Sequence, residues 1–227
     1  MKPFRLSQIL VAAKKLNPLF SPTTDEVNDV ETKVTFPRDW GLGTSSTLIS
    51  NIASWAEINP YELLEATFGG SGYDIACATH KTPITYQRNG FSPNIQEVNF
   101  KPNFEDRLFF VYLNEKKNSR DAITSYRNLN FNKTQLLSAI NNITDKILSC
   151  TSLKEFEHLL NQHEKILSKT LQVPTIKSIL FADYSHTIKS LGAWGGDFVL
   201  AIGTEEDMVY FKNKGYHTIL PYQKMIL

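Results

Sequence analysis

The stretch Pro37-Arg38-Asp39-Trp40-Gly41-Leu42-Gly43-Thr44-Ser45-Ser46-Thr47 decides how this 227-residue chain is read. Upstream, Val30, Thr32, Val34 and Phe36 fall on one side of an alternating run, which predicts a strand over 30–36 stopped by Pro37. Downstream, Leu48, Ile49, Ile52, Ala53 and Ala56 recur at helical spacing. A strand thus enters a glycine turn and a helix leaves it. Glycines let the backbone turn tightly with its N–H groups exposed. The hydroxyls of residues 44–47 line the helix start, where unpaired N–H groups and the positive dipole end lie. That combination suits phosphate oxygens and a Mg²⁺ ion bound to them. An ordinary Ser/Thr-capped helix after a glycine turn has the same pattern, and both readings stay open. No Lys follows the second glycine, so this is not a Walker loop, nor is it a dinucleotide fingerprint.

Before this stretch, Leu6, Ile9, Leu10, Ala13 and Leu16 predict a helix ended by Asn17-Pro18. After it, Asn59-Pro60-Tyr61-Glu62 predicts a second helix start, with Asn59 as N-cap, Pro60 at the first position and Glu62 reaching back. That helix should end near Thr67. Beyond Gly72 the pattern reads as strand-like, with strands expected over 84–87, 95–100 and 108–113. The last is apolar nearly throughout, as in a strand buried on both faces. Helices are expected over 119–127, 133–149, 153–171 and 174–181, then strands over 187–191 and 198–202, a helix capped by Thr204-Glu205-Glu206, and a final strand over 217–220. This order predicts an α+β protein with a ferredoxin-like core, a domain over 1–94 and another over 95–227.

Two further glycine motifs stand out. In Gly69-Gly70-Ser71-Gly72-Tyr73-Asp74-Ile75-Ala76, three glycines approach one acid backed by apolar residues. Such an Asp can serve as a base or a metal partner, or be a solvated turn residue. In Lys189-Ser190-Leu191-Gly192-Ala193-Trp194-Gly195-Gly196-Asp197, the glycines link two strands, either as a plain hairpin turn or as a place where backbone approaches a ligand.

In this order the three motifs resemble the GHMP kinase superfamily of small-molecule kinases, which includes galactokinases, homoserine kinases, mevalonate kinases and phosphomevalonate kinases. The family's loop Pro-x-x-x-Gly-Leu-Gly-Ser-Ser-Ala is similar to 37–47, and its Gly-Ser-Gly-x-Asp element to Gly70-Ser71-Gly72-Tyr73-Asp74. The continuation Gly72-Tyr73-Asp74-Ile75-Ala76 resembles the subgroup named GYDIA after those letters, near the mevalonate and phosphomevalonate kinases. The resemblance implies a ribosomal-protein-S5-like N-terminal domain joined to the ferredoxin-like one. It also implies ATP and Mg²⁺ as cofactors, and transfer of the γ-phosphate to a hydroxyl or phosphate acceptor. Gly41, Leu42, Gly43, Thr44, Ser45, Ser46 and Thr47 would hold the ATP phosphates, with Gly192, Gly195 and Gly196 closing over them. Ser46 and Glu65 would hold the metal, and Asp74 would take or orient the acceptor proton. Ser71 and Gly72, with Arg120, are the substrate-side candidates. Family members begin with strands carrying a Gly-Lys…Gly-Glu segment; here one helix and one strand precede the loop, so the N-terminal domain is expected to be incomplete. Thr44 and Thr47 stand where Ser and Ala are usual, and Asp197 adds a charge after Gly196.

Charge narrows the partners. Lys and Arg total 24 against 23 Asp and Glu, a net +1, which disfavours a dedicated nucleic-acid binder. Cys77 and Cys150 form neither a disulfide framework nor a zinc pattern. No run approaches the ~18 apolar residues of a membrane span, and the apolar core at 9–13 is too short for a signal peptide. A cytoplasmic protein with a small-molecule acceptor is expected, its oligomeric state open. His158 and His163 are five apart, off the i, i+4 spacing of a metal pair. Lys116, Lys117 and Arg120 suit either an anionic substrate or a solvated basic turn. The competing function is a truncated, non-catalytic kinase-like protein that binds nucleotide or a partner. A third is a protein–protein module in which 41–47 only caps a helix.

Overall fold

The computed structural model describes residues 3–22, 30–115, 119–192, 194 and 196–226, without the side chains of residues 3, 4 and 119–123. Contacts divide the chain into a first unit, 1–38 with 42–98, and a second, 39–41 with 99–227. The division falls just beyond a strand that the expected boundary at 94/95 would have split. Among the described residues, no helix is long and apolar enough to cross a membrane.

The first unit holds four helices, α1 (Pro3–Leu16), α2 (Thr44–Trp55), α3 (Pro60–Thr67) and α4 (Tyr73–Thr79), and the antiparallel hairpin of β1 (Ile84–Gln87) and β2 (Asn94–Glu97). Its core joins Ile9 and Ala13 of α1, Ile49, Ile52 and Ala53 of α2, Leu63 and Leu64 of α3 and Ile75 of α4. These residues sit at helical spacing on each element, so one apolar stripe per helix closes the core. Asn59 caps α3 as expected: its side-chain oxygen accepts from the Tyr61 and Glu62 amides at 2.8 and 3.4 Å, and Pro60 takes the first position. The Asn17 side chain donates to the Ala56 carbonyl at 2.8 Å and ties the ends of α1 and α2. Trp55 meets Phe20 edge-on at 5.0 Å.

Two expectations fail here. Residues 30–36 form no strand; Val30 and Val34 are exposed, and no strand among the described residues pairs with them. Alternation alone does not make a strand without an edge to join. Residues 73–79 are helical rather than strand-like, started by Gly72 in the left-handed conformation with φ 80°. The only sheet of this unit among the described residues is therefore the hairpin.

In the second unit, β3 (Leu108–Tyr112), β4 (Ile188–Ser190), β5 (Phe198–Ile202) and β6 (Ile219–Pro221) form one antiparallel sheet in the order β4-β5-β3-β6. Second-third-first-fourth is the strand order of a split βαββαβ core, as expected. The first crossover contains α5 (Ser119–Asn128), α6 (Lys133–Ser149), α7 (Leu153–Leu171) and α8 (Ile176–Leu180); the second contains α9 (Val209–Asn213). Alternate residues of the central strands face opposite cores. Phe109, Val111, Val199 and Ala201 pack with Phe181, Tyr184 and Phe211, while Leu108, Leu200 and Ile202 pack with Ile143, Phe156, Leu159 and Leu160. The last strand lies slightly later than expected, and a short α10 (Tyr222–Met225) follows it.

Candidate functional site

The glycine stretch at 37–47 changes partners midway. Residues 38–40 form a 3₁₀ turn. In the second unit, Trp40 meets Phe198 edge-on at 5.5 Å, and the Tyr112 hydroxyl donates to the Asp39 carbonyl at 3.2 Å. Gly41 has φ 68°, and a Cβ there would lie 1.9 Å from Asp197 Oδ2, so the Asp197 carboxyl rests directly on this glycine. Asp197 Oδ1 is buried without a hydrogen-bond partner among the described residues.

The other half belongs to the first unit. Gly43 is the N-cap of α2, with φ 72°, and no side chain caps the helix. The Ser/Thr-capped alternative is therefore not the observed one. Thr44, Ser45 and Ser46 form the first turn, whose amides have no intrahelical acceptor. The first helical bond runs from the Thr47 amide to the Gly43 carbonyl at 3.0 Å, and the Thr47 hydroxyl donates to the same carbonyl at 3.2 Å. Thr47 thus spends its hydroxyl on the backbone, while among the described residues no such bond is made by the hydroxyls of Thr44, Ser45 and Ser46. The helix start presents donors and a positive dipole end to whatever anion meets it.

Asp74 stands beside this start. It lies in the first turn of α4, which packs on α2, and a Cβ on Gly43 would be 3.7 Å from Asp74 Cβ and 3.8 Å from its Cγ. The residue keeps substantial exposure, yet the surrounding protein desolvates its carboxyl and pushes its pKa above the ordinary carboxylate value. The same crowding raises the Cys77 thiol, first by burial and further by the Asp74 charge.

The hairpin fixes the glycines before Asp74. The Tyr86 hydroxyl donates to the Ser71 carbonyl at 2.6 Å, and Arg88 Nη1 donates to the Gly70 carbonyl at 2.6 Å. Arg88 Nη2 meets Glu65 Oε2 at 2.9 Å, both side chains being about half exposed. Glu65, expected at a metal, is thus engaged by an arginine. Gly72 is confined by the Tyr61 ring: a Cβ would lie 2.7 Å from Cδ1 and 2.9 Å from Cε1. The Ser71 hydroxyl accepts from the Tyr73 amide at 3.3 Å.

In the second unit, Gly192 has φ 63° and open space around it, Gly196 is buried, and Gly195 lies outside the described residues. Trp194 takes φ 55°, rare for a large side chain, and its indole N–H is buried without an acceptor among the described residues. Lys116 and Lys117 also lie outside the described residues, as does the side chain of Arg120 on α5. No cluster of three His, Cys, Asp or Glu suited to a metal occurs among the described residues.

The structure therefore brings Gly43, the first turn of α2 and Asp74 together in one unit, and Gly41 and Asp197 together in the other. Sequence reading missed Trp40, Tyr86 and Arg88. Tyr86 and Arg88 share one side of an extended segment by alternation, but which loop they clamp follows only from the fold.

No family model matches the sequence, and no curated protein matches it. Solved structures do. A mevalonate kinase is similar at TM-score 0.53 and 19% identity over 76% of this chain and 55% of that one. A Lin0012 protein from Listeria innocua is similar at TM-score 0.56 and 17% identity, over 82% and 64%. The L. major mevalonate kinase in complex with R-mevalonate is similar at TM-score 0.50 and 16% identity, over 75% and 56%. This chain thus spans between 55% and 64% of the length of these proteins. At such identities the likeness shows the fold alone, an α+β fold similar to that of mevalonate kinase.

Proposed function

We propose that this chain binds ATP with Mg²⁺ and transfers the γ-phosphate to a hydroxyl or phosphate group of a small molecule, in the manner of mevalonate and phosphomevalonate kinases. The observation that carries the reading is the uncapped start of α2 with the Asp74 carboxyl beside Gly43. The amides of Thr44, Ser45 and Ser46 fit phosphate oxygens. Gly41 fits them less well, because the Asp197 carboxyl covers it, so the phosphate contact is assigned to 43–46. ATP with its metal supplies the phosphoryl group and neutralises its charge.

The residues' own work is positioning. The Ser46 hydroxyl is the metal donor assigned on α2. Glu65 would add its remaining oxygen, Oε2 being held by Arg88. Two protein donors suffice for Mg²⁺, which keeps waters and takes its other ligands from phosphates. Asp74 accepts the acceptor's O–H proton as that oxygen bonds to the γ-phosphorus and the bond to the bridging oxygen of the leaving diphosphate breaks. A carboxylate with a raised pKa is a stronger base than a solvated one. The substrate side within the first unit is assigned to Ser71 and Gly72. Clamping of Gly70 and Ser71 by Arg88 and Tyr86 holds Asp74 in register.

The non-catalytic reading has one observation in its favour, the negative charge of Asp197 against Gly41. ADP release measured across a panel of hydroxyl and phosphate acceptors, mevalonate among them, separates the two. Acceptor-dependent release that Asp74→Asn abolishes while nucleotide affinity is kept supports transfer. Nucleotide binding with no acceptor-dependent release from any member supports the non-catalytic alternative.

A further inference from the structure

A cleft of about 330 Å³ opens in the second unit between α7, the entry to α8 and β4, in the size range of small-ligand sites. Its floor is Ile188, fully buried on β4. Three lysines line it: Lys165 and Lys169 from α7, and Lys177 from α8. We propose that this cleft binds a small dianion through a phosphate group, at a site separate from the glycine motifs.

Much of the cleft's hydrogen-bonding capacity is already spent. The Ser168 hydroxyl donates to the Val173 carbonyl at 2.6 Å, and the Thr175 hydroxyl to Ser178 at 3.2 Å. Asn161 gives one amide hydrogen to Thr187 at 2.8 Å. Glu164 contributes no free charge, since its carboxylate meets Lys189 at 3.0 Å and accepts from the Ser190 hydroxyl at 2.9 Å. The unspent hydrogens are therefore mainly ammonium hydrogens. Lys177 gives one to the His186 carbonyl at 2.6 Å and keeps two. Among the described residues no acid pairs with Lys165 or Lys169.

Charge placement points the same way. Lys165 and Lys169 are four apart on α7, where like charges repel. Lys177 faces the same cleft, and partial burial lowers its pKa. Three cations line one cleft, and a dianion matches that charge. Ammonium groups bind phosphate as point charges without demanding a fixed fork, which suits an open cleft.

The test is amide chemical-shift titration of the 227-residue chain at low ionic strength with inorganic phosphate and, separately, glycerol 3-phosphate. The expected result is saturable shifts at Ser168 and Thr175. Lys165→Gln combined with Lys169→Gln should weaken them by about tenfold or more. Lys154→Gln, an exposed lysine of α7 outside the cleft, and Ser46→Ala should leave them unchanged. Tighter binding of the ester identifies a phosphorylated metabolite as the ligand; equal affinity identifies free phosphate. Absence of saturable shifts, equal weakening by Lys154→Gln, or loss in Ser46→Ala overturns the proposal.

Discussion

Gly72→Ala tests whether the loop before Asp74 is held as tightly as the geometry requires. Gly72 has φ 80°, which costs a residue with a Cβ about 1–2 kcal/mol. The new methyl would lie 2.7 and 2.9 Å from two Tyr61 ring carbons, well inside the ~3.5 Å of a normal carbon contact. The ring cannot simply swing away, because Tyr61 packs against the first core and its amide is bound by Asn59. Overpacking of this kind adds about 1–3 kcal/mol, so the substitution should destabilise the first unit by about 2–5 kcal/mol. Urea unfolding followed by circular dichroism gives the magnitude, and hydrogen exchange along α4 locates it. In a Tyr61→Ala background the penalty should fall to the backbone part, about 1–2 kcal/mol. Gly70→Ala, with nothing within 4 Å of its Cβ, should lack the steric part altogether. A loss below about 0.5 kcal/mol for Gly72→Ala, or the same loss with and without the Tyr61 ring, would refute the steric account.

Other consequences follow from charge and burial. Burial and the Lys189 charge lower the His163 pKa from 6.5 to about 4. The unfolded chain then takes up a proton that the folded chain refuses, so stability held above pH 6.5 is lost as the pH falls toward 4, and His163→Gln should flatten that loss in pH-dependent unfolding. Asp74 has the opposite sign. Its folded pKa is raised by desolvation, so its contribution is fully present below about pH 3.8 and is lost as the pH rises through the folded value. Asp74→Asn should therefore be more stable than the parent at neutral pH and no more stable at pH 3, as thermal unfolding would reveal. The Glu164–Lys189 pair is largely buried. Glu164→Ala should cost about 3 kcal/mol by stranding the lysine, and Lys189→Met in the same chain should recover most of it. A urea midpoint for Glu164→Ala equal to that of the parent would contradict the claim that the pair is desolvated.

Local patterns were legible wherever one element decided its own form. Asn59-Pro60 named its cap because both residues act within a single turn. The helices Lys133–Ser149 and Leu153–Leu171 and the strand Phe198–Ile202 match the expected bounds, since the apolar stripe and the continuous apolar run specify burial on their own. Residues 30–36 misled because alternation describes a strand only once another strand supplies the edge. Residues 73–79 misled because a glycine run was read as continuing into extended chain, whereas Gly72 closes the turn and starts a helix. Glu164 lay beyond sequence reading: on the inward stripe of α7 it is polar, and only the fold brings Lys189 and Ser190 to it.

The candidate site was legible as three motifs but not as an arrangement. The sequence named Gly43, Ser46 and Asp74, and the structure sets Asp74 against Gly43. It did not show that Asp197 would cover Gly41, or that Arg88 would hold Glu65 and Gly70 at once. Each joins residues far apart in the chain, so no local spacing records it.

Calorimetric titration of the chain with ATP in the presence of Mg²⁺, beside Ser46→Ala and Asp74→Asn, tests the central claim most directly. The account predicts magnesium-dependent binding that Ser46→Ala weakens by about tenfold and Asp74→Asn leaves nearly unchanged. Absence of binding by the folded chain, or binding indifferent to Ser46 and to magnesium, would contradict a nucleotide site at the start of α2.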